Sequence, residues 1–200
     1  MKSKSIFNDW GLWLILVFNA YAVYHYIQYP NSIHTIYFIF WIQSFFIGVF
    51  NVIGMLTFTN RVENSYTVNN QPGNRPGCAA GFFFIHYGGF HLAYFVFLIV
   101  KISKISVLDF QFIQLSFWAI LVGCVMQYVQ DKRRNATEAV NISTMFFMPY
   151  ARILPMHLAI LAPAILNISA PVIFLSLKTV ADIIMHIVYR NYLFKQSATV

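Results

Sequence analysis

Residues 79–101 read AAGFFFIHYGGFHLAYFVFLIVK. Lys101, at the very end, is the one charged side chain in the run. At about 1.5 Å of rise per residue, a helix of this length reaches roughly 34 Å, enough to cross the hydrocarbon core of a bilayer. The run is continuously apolar, without the alternation of period two that a barrel strand needs, so a helix is the expected form. Yet it carries His86 and His91, with Gly88 and Gly89 between them. Those two imidazoles raise the functional question.

The rest of the chain agrees with the stretch. Of 200 residues, 59% are hydrophobic and 10% charged, and the mean hydropathy is +0.64. Soluble domains carry about 25% charged residues. This balance points to lipid as the solvent. Aromatics reach 18%, which suits tails and headgroups. The formal charge is +7, but the basic residues sit at segment ends and form no stripe. That excludes a nucleic-acid partner and makes them topology determinants.

Six apolar segments of helical length follow, at about 9–29, 33–58, 79–101, 110–130, 147–167 and 169–190. The expected fold is all-α: a six-helix transmembrane bundle forming a single membrane domain over residues 1–200. No internal repeat or heptad run is present. The basic N-terminus resembles a signal peptide, but no small-x-small cleavage site follows it, and a retained first span is expected. Two linkers are long: the polar 59–78 and the charged 131–146. With a cytoplasmic N-terminus, the inner side holds Lys2, Lys4, Arg61, Arg75, Lys132, Arg133, Arg134, Arg190 and Lys195, against Lys101 and Lys104 outside. Both termini are therefore expected in the cytoplasm. The acceptor motifs at Asn135 and Asn141 then face the wrong side for glycosylation. Cys78 and Cys124 show no C-x-x-C spacing and no disulfide framework.

Ionisable groups inside spans cost about 2.5–3.5 kcal/mol each on insertion scales, so they turn inward and find partners. Here they are His86 and His91 in span three, Arg152 and His157 in span five, and Lys178, Asp182 and His186 in span six. Asn19, Gln43, Asn51, Gln114 and Gln127 add amides. His25 and His34, at the outer span ends, read as interfacial. By helical rise, the seven ionisable groups lie roughly 6–18 Å from the cytoplasmic ends of their spans. Matching depths on three helices predict one polar chamber in the cytoplasmic half.

Lys178, Asp182 and His186 are spaced i, i+4, i+8 and share a face, which allows an intrahelical Lys178–Asp182 ion pair. His86 and His91 diverge by about 140°, unless Gly88-Gly89 bends the helix or lets a neighbour approach closely. Pro155 predicts a kink between Arg152 and His157. Asp182 and His186, completed by His86 or His157, form a mixed set that would take a transition metal such as zinc or iron, the alternative being a hydrogen-bonded His/Asp/Arg network without metal. The same four residues are the catalytic candidates. Arg152, Lys178, Tyr87 and His91 are the substrate-binding candidates, and the two cations favour an anionic group. Haem is disfavoured because Lys178 shares the depth of His91 and His157. No G-x-S-x-G supports a serine nucleophile.

The motifs HYGGF, PYARILPMH and LKTVADIIMH give a resemblance. His86-Tyr87-Gly88, Arg152-Ile-x-Pro155-x-His157 and Lys178-x3-Asp182-x3-His186 resemble a family of bacterial multi-pass membrane proteins classed as a domain of unknown function. The resemblance implies a helical membrane protein and supplies no activity; the expected location is the bacterial inner membrane. Three readings stand at this point. One is a metal-assisted enzyme acting on a lipid-like or anionic substrate. Another is a proton-coupled transporter or channel, where a homo-oligomer compensates for the short chain. The third is a non-catalytic assembly subunit.

Overall fold

The computed structural model describes residues 10–62, 67–68, 71–72, 76–101, 108–151, 153 and 170–195. Six helices run through them. They are α1 (Trp10–Gln28), α2 (Ile33–Thr57), α3 (Pro76–Lys101) and α4 (Phe110–Asn135), α5 (helical over 142–151), and α6 (Ala170–Tyr192). A 3-10 turn at Pro30–Ser32 joins α1 to α2. Among the described residues, three helical stretches are long and apolar enough to cross a membrane: Pro30–Thr57, Pro76–Val100 and Phe110–Asn135. Most of span five, with Pro155, lies outside the described residues.

The side chains are arranged for lipid. On α4 the buried residues are Phe112, Ser116, Ile120, Asp131 and Asn135. Its exposed positions include Leu115, Trp118, Val122, Met126 and Val129. Ser116, Asp131 and Asn135 turn inward while many large apolar side chains face outward, unlike the pattern of a water-soluble helix. On α3, Ala80, Phe83, Tyr87, His91, Tyr94 and Leu98 are buried. Their three-and-four spacing makes one stripe, and it packs on α2.

Helix α2 is the centre of the molecule. It contributes Met55, then Ile36 and Phe40, then Ile39 and Ile42, to three separate hydrophobic clusters shared with its neighbours. It packs against α3 and α4, while α6 lies mainly on α1. Gly48 permits the closest approach: a Cβ there would fall 2.3 Å from Cε1 of Tyr87. Gly88 and Gly89 have nothing near them, and α3 continues through them as helix. The expected close approach on α3 is therefore corrected: the glycine that admits it is on α2, under the tyrosine ring.

Described parts of both long linkers carry regular structure. In 59–78, strands β1 (Thr67–Val68) and β2 (Gln71–Pro72) pair as a hairpin. Helix α3 then starts at Pro76, a residue suited to a first helical position. In 131–146, α4 runs on through Asp131–Asn135, since this run contains no breaker and its Lys132, Arg133 and Arg134 favour a helix C-terminus. Asn141 then caps α5 by accepting from the Thr144 N–H at 3.1 Å. Between them β3 (Ala139–Val140) pairs antiparallel with β4 (Phe194–Lys195). Val140 also bridges Arg61 in parallel. Asn135 seals this end: its Oδ1 accepts from the Thr59 and Asn60 N–H groups, and its Nδ2 donates to the Asn60 carbonyl. The side chain of this acceptor motif is thus buried in structural bonds.

Candidate functional site

Lys178 and Asp182 form the predicted i, i+4 ion pair on α6, both buried. Neither helix α1 nor α2 leaves the pair to itself. Lys178 Nζ donates to Gln43 Oε1 of α2 at 2.9 Å. It also lies 4.3 Å from the centroid of the Phe40 ring, a cation–π contact that gains strength away from water. Asn19 of α1 donates to Asp182 Oδ2 at 3.2 Å, and to the carbonyl of Ile15 at 2.9 Å. Opposite charges, two amides and a ring together make burial of both ions tolerable, which isolated charges in lipid would not be.

The histidines of α3 have a different setting. His91 is buried against α2, its Nδ1 3.0 Å from the Tyr87 carbonyl. Tyr87 pairs with Ser44 of α2, hydroxyl to hydroxyl at 2.8 Å, and donates to the Ser44 carbonyl at 3.0 Å. His86 is exposed, its Nδ1 2.8 Å from the Tyr150 hydroxyl of α5. The two rings point apart, as their spacing requires.

A cavity of about 440 Å³ opens between α1, α2, α4, α5 and α6. Its aromatic walls are Phe18, Tyr21, Phe50, Phe58 and Tyr128. Its polar groups are Gln43, Asn51, Gln127, Asp131 and His186. Asn51 donates to the Met145 carbonyl at 2.8 Å, tying α2 to α5. Gln127 Nε2 lies 3.1 Å from each oxygen of Asp131. Gln43 belongs both to this wall and to the Lys178–Asp182 pair. Of the residues singled out by sequence, His186 faces the cavity and Lys178 reaches it through Gln43.

Of the expected metal set, His157 lies outside the described residues, as does Arg152. Among the described residues, no three His, Cys, Asp or Glu side chains come close enough to hold a metal ion. Asp182, His186 and His86 thus do not gather as a trio by themselves. The reason is packing: α3 lies against α2, whereas α6 lies on α1, so matching depth does not bring their side chains together. The single chamber expected from spans three, five and six gives way, for α3 and α6, to separate environments. The amides Asn19, Gln43, Asn51 and Gln127, read as secondary, hold the pair and line the cavity. Asp131 escaped notice because it stood at the supposed start of a loop.

The far end holds a second polar cluster. His25 is not water-accessible as expected but buried. Its Nε2 is 3.2 Å from Asp109 Oδ2, its Nδ1 3.2 Å from Ser32 Oγ, and its ring stacks on Phe112 at 3.9 Å. Asp109 also caps α4, accepting from the Phe112 N–H at 3.0 Å. That backbone bond, chiefly, holds its carboxyl below the usual range, partial burial opposes it, and His25 reinforces it. An aspartate just before an apolar run is a helix-start signal, and reading it would have found this residue.

The chain belongs to the family of unknown function DUF6498, matched over residues 1–199. Comparison with curated proteins and with solved structures finds no match.

Proposed function

We propose that this DUF6498 chain is a six-span carrier of small amphiphilic solutes, coupled to protons, in a bacterial plasma membrane. Both termini are placed in the cytoplasm. The end bearing Arg61, Lys132, Arg133, Arg134 and Lys195 is then the inner one, which agrees with the positive-inside bias. A homo-oligomer belongs to this reading, because the sequence holds no internal repeat to supply two halves.

One observation carries the proposal. The buried Lys178–Asp182 pair shares Gln43 with the wall of the cavity. A solute that draws on the Gln43 amide competes with Lys178 for it. Weakening that bond alters the balance between an intact ion pair and a protonated, neutral Asp182. This is how an intramembrane charge pair links occupancy to proton movement. The metal-assisted enzyme is the second reading; among the described residues no three of its donors gather.

The test uses purified full-length chain in liposomes with an enclosed pH dye and a clamped potential. Organic cations, organic anions and neutral amphiphiles are added in turn. At least one class is expected to move protons above the level of empty liposomes. The Lys178→Met/Asp182→Leu double variant, checked for folding by size exclusion and melting, is expected to lose that signal. Proton movement by no class, or full activity in the folded double variant, would overturn the carrier.

A further inference from the structure

Taking the cavity as the solute site of the proposed carrier, we infer that its occupant is a neutral, lipid-soluble phenol that enters sideways from the bilayer. The mouth lies between α1 and α4. Val17 of α1 and Ala119 of α4 both line the cavity and are exposed. The two helices are clasped at their outer ends, by His25 to Asp109 at 3.2 Å and by the Tyr21 ring on Phe112 at 5.3 Å. Elsewhere α1 packs mainly on α6, and α4 on α2. Ala119 and Gly123 keep the α4 side of the mouth small, and a Cβ at Gly123 would meet nothing within 4 Å. These two residues sit roughly 14–20 Å along the helix from Phe110, near the middle of a hydrocarbon core about 30 Å thick. Leu115, Trp118 and Val122 beside them are exposed. The mouth therefore meets acyl chains rather than water, and a permanent charge arriving by this route would be costly.

The wall amides define the head of the ligand, because each has one end fixed by its partner. Gln43 turns its carbonyl to the Lys178 ammonium, which can only donate. Gln127 turns its NH2 to the Asp131 carboxylate, and Asn51 its NH2 to the Met145 carbonyl. Among the described residues, the amide ends left for an occupant are thus one donor, Gln43 Nε2, and two acceptors, Asn51 Oδ1 and Gln127 Oε1. That set asks for hydroxyl groups, which donate to the two oxygens and accept from the one nitrogen. The rest of the lining asks for a ring. Phe18, Phe50 and Tyr128 border the same space, and aromatic pairs gain beyond their buried area. Met145, Met148 and Met185 add adaptable apolar surface that also favours aromatic contacts. The volume of about 440 Å³ holds one ring with a short alkyl tail.

Pentylresorcinol and its dimethyl ether share a ring, a tail and an oxygen pattern, and only the resorcinol has O–H donors. Binding of each radiolabelled probe to the full chain in lipid nanodiscs is followed over time, with empty nanodiscs subtracted. At equilibrium the resorcinol is expected to bind at least tenfold more tightly than the ether, through the hydrogen bonds that the ether cannot donate. Gly123→Phe and Ala119→Trp, which fill the mouth, are expected to slow its uptake at least tenfold. Equal binding of the two probes, preference for the ether, or binding of neither overturns the phenol assignment. Unchanged uptake in a mouth variant that melts like the wild type overturns sideways entry. Ala119 is exposed, so its variant keeps the route under test if Gly123→Phe does not fold. The carrier reading stands or falls separately on the proton assay: proton movement without a preference for the resorcinol would leave a carrier of another solute.

Discussion

Gly48 and Tyr87 show how closely two helices can be fitted by one missing methyl group. The tyrosine ring lies where a Cβ would be, and its hydroxyl is held by Ser44 one turn away. Gly48→Ala is expected to destabilise the chain by about 1–3 kcal/mol, the usual range for overpacking. Gly88→Ala, which meets open space, is the matched control and should not lower the melting temperature in detergent. Lys178 obeys a different logic. Lys178→Met leaves Asp182 buried without its cation and is expected to cost about 3–5 kcal/mol. The double change Lys178→Met/Asp182→Leu removes both charges and should recover most of that loss. Melting curves of the single and double variants check this; a double variant no better than the single would show the pair is not the source.

Helix α4 is anchored by chemistry at both ends. Asp109 caps its start and receives His25, while Asn135 at its finish collects Thr59 and Asn60. Asp109→Ala should cost about 1 kcal/mol through the lost cap. Asp109→Asn keeps an accepting oxygen and loses only the charge. Because the folded-state carboxyl sits below its ordinary range, its charge stabilises the fold above that range. The contribution is lost as pH falls through the lowered value. The side chain is 42% exposed, so screening keeps the effect small. The melting gap between wild type and Asp109→Asn should shrink towards acid pH and narrow in high salt. A gap constant across pH would show that the charge contributes nothing.

At the scale of the molecule, the fully buried residues Phe58, Phe83, Val140, Ile142, Met145 and Leu193 gather near the β3–β4 end. Three separate chain segments meet there through backbone bonds: Val62 N–H to the Val140 carbonyl, Val140 N–H to the Asn60 carbonyl, and Asn141 N–H to the Leu193 carbonyl. This knot closes the bundle where loops would otherwise leave polar backbone unsatisfied. Leu193→Ala should open a cavity costing about 2–5 kcal/mol. It should also raise amide exchange at 59–62 and 139–141 together, as one unit. Faster exchange confined to Leu193 would argue against a shared closure.

Much of this was readable before any coordinates. Helix-length apolar runs, inward polar residues and the i, i+4 pairing of Lys178 with Asp182 depend on distance along one helix, and that distance is a property of sequence. Partner choice between helices is not. Depth placed His86, His91 and Asp182 within reach of a common chamber, but depth says nothing about rotation or neighbourhood. Only the packing of α3 on α2 and of α6 on α1 separates those groups. The same packing brings Asn19 and Gln43 to the ion pair, and Asp131 to a cavity wall. Contacts between distant segments arise from side-chain fit across a three-dimensional bundle, so local spacing carries no record of them.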